Sequence, residues 1–193
     1  MHLHLDIVGG AAGDMFVAAM LAVQPEVDAE HLTQVIEQAG FPDLVTLDKT
    51  EFNDGILTGI RFNVSADSDA EGHHHRHYSD IRKLIDSSSL SAAVKQRAQD
   101  VFLILAEAEA AVHNRTVQEV AFHEVGAWDS IADVICAAYL IDRAGITSCT
   151  CSRLPLGGGN VKTAHGLLPV PAPATALILE GFQFRDDGIS GER

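Results

Sequence analysis

Basic side chains and cysteines are scarce in this chain, and each shortage rules something out. Lys and Arg number 13 against 27 Asp and Glu, a net charge of −14. Such a field disfavours non-specific binding to nucleic acid or to an anionic membrane. Three cysteines, an odd number, do not make a disulfide scaffold and suit a reducing cytoplasm. No apolar run reaches the ~18 residues that a membrane span needs. The first residues lack a basic stretch followed by an apolar one, so no secretory leader is expected. Reaction motifs are missing too. There is no His-Glu-x-x-His, no Gly-x-Ser-x-Gly and no Cys–His pair, which removes the usual signatures of zinc proteolysis and nucleophilic hydrolysis.

What is present is enough for one packed domain: 193 residues, 47% of them hydrophobic. Leu3, Leu5 and Ile7 alternate with polar residues as in a strand, and Met15 to Val23 reads as a buried helix. Asp28 is placed to cap a helix carrying Leu32, Val35 and Ile36, which Gly40 ends. Val45 to Ala66 holds two strand-like runs around Asn53-Asp54-Gly55, a hairpin signal. A short helix is expected over Tyr78 to Ile85. Val94, Ala98, Val101, Leu105, Ala108 and Val112 trace one face of a long one. Ile131 to Ala144 is apolar nearly all round and reads as a buried helix. Ser148 to Leu154 is strand-like, Pro155 to Pro173 mostly extended, Ala174 to Glu180 a short helix and Phe182 to Phe184 a strand. The balance predicts an α+β domain with helices packed on a small mixed sheet, its strand order undetermined.

Four segments can carry chemistry. The first is Asp6-Ile7-Val8-Gly9-Gly10-Ala11-Ala12-Gly13-Asp14-Met15. A glycine turn between strand and helix offers backbone N–H groups to an anion. It lacks the dinucleotide fingerprint, because Val8 stands where glycine is needed. Asp6 and Asp14 flank the turn and tolerate a phosphate bridged by a cation. The alternative is a tight turn with Asp14 as helix N-cap. The second is His73-His74-His75-Arg76-His77. Imidazole titrates near ~6.5, so such rings are mostly neutral ligands for Ni, Zn, Cu or Fe at pH 7. A solvated His-rich loop is the alternative.

The third is Phe122-His123-Glu124-Val125-Gly126-Ala127-Trp128-Asp129-Ser130-Ile131-Ala132-Asp133. Asp129 and Asp133 share a helix face, a repulsion of roughly 0.2–0.5 kcal/mol unless a cation lies between them. With His123 and Glu124 they suit a mixed nitrogen–oxygen metal site; a Ser130–Asp133 capping box with Asp129 at the helix dipole is the rival reading. Trp128 reads as a packing anchor. The fourth runs from Leu156-Gly157-Gly158-Gly159-Asn160-Val161-Lys162-Thr163-Ala164-His165-Gly166 to Pro173. It can wrap an anion with Lys162, Thr163 and His165 but is no Walker A loop; a long surface connection is the alternative. Cys149 and Cys151, two apart on a strand, are read as buried small hydrophobes before soft metal ligands, and Cys136 as core.

Taken together and in this order, these segments resemble the N-terminal part of the LarC nickel-insertion family. The matching pieces include Gly10-Ala11-Ala12-Gly13-Asp14-Met15, the histidine run continuing into Tyr78-Ser79-Asp80-Ile81, and Leu105-Ala106-Glu107-Ala108-Glu109-Ala110-Ala111-Val112-His113. Phe122-His123-Glu124-Val125-Gly126-Ala127…Asp129-Ser130-Ile131-Ala132-Asp133 and His165-Gly166-Leu167-Leu168-Pro169-Val170-Pro171-Ala172-Pro173-Ala174-Thr175 complete the match, which spans nearly the whole chain. The resemblance implies a nickel chelatase or cyclometallase of the lyase class. It would insert Ni²⁺ into pyridinium-3,5-bisthiocarboxylic acid mononucleotide, consuming CTP with Mn²⁺ or Mg²⁺. Family chains are longer, running past a segment like Gly188-Ile189-Ser190-Gly191-Glu192 into a CTP-binding domain. Residues 1–193 are therefore expected to be the N-terminal domain alone, with that half missing or supplied as a separate chain.

On this reading, His73, His74, His75 and His77 capture nickel. His123, Glu124, Asp129, Asp133, Asp6 and Asp14 form a second, harder metal site. Gly10, Gly13, Lys162 and Arg76 hold the nucleotide, and His165 or Glu124 takes the ring proton as the metal–carbon bond forms. Lactate-racemase-type enzymes would receive the product, and a homo-oligomer is among the expected assemblies. Two rivals stand beside it: a nickel or zinc chaperone without catalysis, and a Mn²⁺- or Mg²⁺-dependent hydrolase.

Overall fold

The computed structural model describes residues 1–43, 45–66, 76–122, 125–163 and 166–192. In chain order these form β1 (His2–Leu5), α1 (Gly13–Val23), α2 (Ala29–Gln38), β2 (Val45–Asn53), β3 (Thr58–Ala66), β4 (Arg76–His77), α3 (Tyr78–Ser87) and α4 (Ala92–His113). A turn of 3₁₀ helix at Val117–Glu119 leads to β5 (Ala121–Phe122) and α5 (Trp128–Arg143). Then come β6 (Ser148–Cys151), β7 (Leu154–Pro155), β8 (Asn160–Thr163), β9 (Gly166–Pro169), α6 (Pro173–Ile178) and β10 (Phe184–Arg185).

The α+β class holds. Among the described residues its mixed pairing is spread over five two-stranded units rather than gathered into one sheet: β1–β6 and β7–β10 are parallel, β2–β3, β4–β5 and β8–β9 antiparallel. None of these is wide enough to organise a core, so the helices do. α5 packs against α1, α2, α4 and β3, and Ile131, Ile135 and Leu140 on it are fully buried. They meet Val17 and Leu21 of α1, Leu32 and Ile36 of α2, and Phe102 of α4 in one continuous cluster. Each such side chain contributes roughly 1.5–3 kcal/mol of burial.

Local chemistry explains most boundaries. Asp28 and His31 form a reciprocal capping box at α2, with Asp28 accepting the His31 N–H at 3.0 Å. Ser91 accepts from Val94 N–H to start α4, and Asn114 in the left-handed region ends it. In the β2–β3 loop Asp54 accepts the N–H groups of Ile56 and Leu57 at 2.9 and 2.7 Å.

Four local expectations are corrected. Asp14 is the second residue of α1 and not its cap; Ala12 holds that position without a side-chain bond. The Ser130–Asp133 box does not form, because α5 starts earlier, at Trp128, and Asp129 takes the Ser130 N–H at 2.6 Å. Pro155 to Pro173 is extended but folded back as the β8–β9 hairpin. Cys149 is exposed and Cys151 half-buried, because β6 has only β1 beside it, whereas Cys136 is core as expected. Among the described residues no helix is long and apolar enough to cross a membrane.

Candidate nucleotide cavity and metal-binding residues

β1 delivers the chain into the glycine turn, which other elements hold in place. Ile7 N–H donates to Ser152 Oγ at 3.0 Å, and the Arg185 guanidinium of β10 donates to the carbonyls of Ile7 and Val8. Gly10 sits at φ 111°, a conformation L side chains rarely adopt. Gly13 is required for a different reason. A Cβ there would lie 2.6 Å from Asp133 Oδ2.

That contact joins the first and third segments. Asp133, from α5, accepts a hydrogen bond from the Asp14 backbone and so occupies the start of α1. Its Oδ1 is buried with no hydrogen-bond partner among the described residues. Burial, then the nearby Asp14 and Asp129 charges, push its carboxyl up to about 7. Part of the anion-binding capacity of the helix start is thus met by the protein's own carboxylate. Asp6, Asp14 and Asp129 are exposed. Among the described residues no group of three or more His, Cys, Asp or Glu is placed to hold a metal. His73, His74, His75, His123, Glu124 and His165 lie outside the described residues.

Arg76 and Lys162 are described. Arg76 donates to the Gly126 carbonyl, and its guanidinium lies 3.9 Å over the Trp128 ring. Trp128 in turn tilts against Phe41 at 4.8 Å. This stack ties the end of the histidine run to the start of α5, with Arg76 paired opposite Phe122. His77 is exposed on β4, and Lys162 is exposed on β8 opposite Leu167.

The glycine turn opens onto a cavity of about 570 Å³. Gly9, Gly10, Ala12 and Met15 form one wall, and Leu154, Pro171 and Leu179 the other. A smaller cavity of about 160 Å³ is lined by Phe122 and Val125, which flank residues 123–124, and by Thr163, which precedes residues 164–165. The two share Thr175 and Glu192. The glycine turn and the described flanks of the third and fourth segments therefore meet at adjoining cavities, while Arg76 and His77 of the histidine run line neither. Glu192 is the one ionisable side chain among the described residues lining the larger. Sequence reasoning missed Glu192, Thr175 and Glu109, which line these cavities, and Arg185, which holds the glycine turn. Backbone bonds between Gly158 and Gly191, at 2.8 and 3.2 Å, hold Glu192 beside the glycine-rich segment, and no local pattern signals that pairing.

The fold and site define an α+β domain with a cavity at a glycine turn between β1 and α1. The chain belongs to the nickel insertion protein family, whose model matches residues 3–193. It is 38% identical over 192 residues to the "Pyridinium-3,5-bisthiocarboxylic acid mononucleotide nickel insertion protein" of Staphylococcus epidermidis, covering 98% of this chain and 47% of that one. It is 45% identical over 192 residues to a "Putative nickel insertion protein" of Geotalea daltonii, covering 99% of this chain and 48% of the relative. The chain thus spans about half the length of the curated relatives it matches. No solved structure matches it.

Proposed function

We propose that this chain is the nickel-handling part of a protein that inserts Ni²⁺ into pyridinium-3,5-bisthiocarboxylic acid mononucleotide, a cyclometallase reaction of the lyase class. The observation that carries the reading is the family match over residues 3–193, joined to the name of the Staphylococcus relative. The cavity at the glycine turn supports it, because a mononucleotide needs a concave site with free backbone N–H groups. With Arg76 engaged by Trp128 and Gly126 and Asp133 at the start of α1, the phosphate falls to the backbone around Gly9 and Gly10.

Nickel is cargo, not a resident cofactor. His73, His74, His75 and His77 capture it; His123, Glu124, Asp129, Asp133, Asp6 and Asp14 supply harder ligands nearer the nucleotide. As nickel bonds to the ring carbon, the C–H bond breaks and the proton passes to His165 or Glu124. Gly10, Gly13 and Lys162 flank the nucleotide. CTP with Mn²⁺ or Mg²⁺ belongs to the half of the relatives that this chain does not span. Work in the cytoplasm, homo-oligomeric assembly and lactate-racemase-type recipients complete the proposal.

The test combines the chain with the nucleotide, Ni²⁺, CTP, Mn²⁺ and a polypeptide matching the remaining half of the relatives. Mass spectrometry should show a nickel-containing nucleotide only when the chain is included. No product with every component present, or equal product without the chain, refutes the reading. Nickel bound without product would favour a chaperone, and CTP hydrolysis in the absence of nickel a hydrolase.

A further inference from the structure

β1 carries two histidines, His2 and His4, to which the proposed function gives no role. In the parallel β1–β6 ladder His2 pairs with Ser148 and His4 with Thr150, while Leu3 and Leu5 pair with Cys149 and Cys151. Side chains alternate along a strand, so His2, His4, Ser148 and Thr150 share one face. All four are exposed. Residues two apart on a strand are about 6.6 Å apart along the backbone, a span that two imidazoles close by leaning together.

Here they do lean together. His2 Nε2 lies 3.0 Å from Thr150 Oγ1, and His4 Nδ1 lies 2.9 Å from the same atom. A hydroxyl has one proton and can donate to only one of the two rings; the other must approach as an N–H donor. A divalent ion has no such restriction and takes both lone pairs at once. It needs each nitrogen at about 2.1 Å, roughly 0.9 Å closer than Thr150 Oγ1 now stands. Exposed rings on a two-stranded edge can make that rotation. The second nitrogen of His2, Nδ1, is held by Ser148 Oγ at 2.8 Å, the kind of outer contact that orients a metal-binding imidazole. The Met1 amine is bound to the Gly145 carbonyl at 2.6 Å and is not needed as a ligand.

We infer that His2 and His4 form a two-imidazole site for a divalent late transition ion, distinct from the histidine run at residues 73–77. Two nitrogens with the remaining positions left to water make an open, exchangeable site. Its chemistry selects Cu²⁺, Ni²⁺ or Zn²⁺ over Mg²⁺ and Mn²⁺. The chain's net charge of −14 draws cations to it. The site lies on the strand that runs directly into the glycine turn, so an ion held there sits one strand's length from the nucleotide cavity.

The experiment needs neither nucleotide nor insertion, so it stands apart from the proposed function. It uses the 193-residue chain from Met1, with His73, His74, His75, His77, His123 and His165 changed to alanine, at pH 8. Histidine-ring ¹H–¹³C spectra are followed as Ni²⁺ is added below one equivalent. The His2 and His4 signals should broaden first and together, and Mg²⁺ should leave both sharp. His4→Gln keeps a partner for Thr150 but loses the nitrogen ligand. It should raise the Ni²⁺ concentration that broadens His2 by roughly tenfold or more. The inference is overturned if His31 or His113 broadens first. It is equally overturned if only one of the pair responds, or if His4→Gln leaves the His2 midpoint unchanged.

Discussion

Asp133→Asn should stabilise this protein, and only above mildly acidic pH. Asp133 is half-buried against Gly13 and Asp14, with one oxygen unpartnered among the described residues, and its carboxyl is pushed up to about 7 from an ordinary 3.8. The folded pKa therefore exceeds the unfolded one. Below about pH 4 both states hold the proton, and the group has no effect on stability. Between 4 and 7 the folded state keeps a proton that the unfolded state releases, so stability falls as pH rises through this window. Above 7 the loss is complete. A rise from 3.8 to about 7 is worth roughly 4 kcal/mol at full burial, and solvent screening at a half-buried site reduces this to about 2 kcal/mol. Asparagine has no charge to bury and can still accept the Asp14 N–H.

Thermal unfolding of metal-stripped wild type and Asp133→Asn from pH 4.5 to 8 reads the difference. At pH 8 the variant should melt about 4–8 °C higher, the gain shrinking towards pH 4.5. Asp28, Asp54 and Glu119 give the opposite slope. Their carboxyls are held low by backbone N–H groups of His31, Leu57 and Thr116 respectively. Both proteins share that slope, so the difference isolates Asp133. Parallel stability curves, or a variant less stable at pH 8, would refute the reasoning.

Three further outcomes follow from the same contacts. Gly13→Ala places a Cβ 2.6 Å from Asp133 Oδ2 and should cost about 1–3 kcal/mol in urea unfolding; the cost should fall when Asp133→Gly is combined with it. Arg76→Met loses the ring stack on Trp128 and the bond to Gly126, and should cost about 1–2 kcal/mol with a change in Trp128 fluorescence. Ile135→Ala empties a fully buried position in α5 and should cost about 2–5 kcal/mol by denaturant titration.

The elements that were legible in the sequence are those whose signals are local. The helical run Val94–Val112 found α4, although its buried face passes through Phe102 and Ala106 and leaves the expected Val101 and Val112 exposed; Asp28 found the start of α2, and Asn53-Asp54-Gly55 found the β2–β3 hairpin. The illegible parts join residues far apart. Nothing near Gly13 announces that Asp133 will fill the space where a Cβ would sit. Nothing near Phe184 and Arg185 announces a parallel pairing with Leu154 and Pro155. Strands of two residues carry no period at all. The candidate site followed the same division: its motifs could be read and matched to a family, whereas the meeting of the glycine turn with Phe122, Val125 and Thr163 at cavities that share Thr175 and Glu192 is a property of the folded chain.

The central claim is that nickel held by this chain ends up in the nucleotide. Its most direct test is a chase. The chain is loaded with ⁶³Ni²⁺, freed of unbound metal, and mixed with the pyridinium nucleotide, CTP, Mn²⁺ and the remaining half of the relatives, with a chelator present to trap free nickel. The account predicts that label moves from protein to nucleotide despite the chelator, and that changing His73, His74, His75 and His77 to alanine removes the transfer. Label passing to the chelator while the nucleotide stays unlabelled would contradict it.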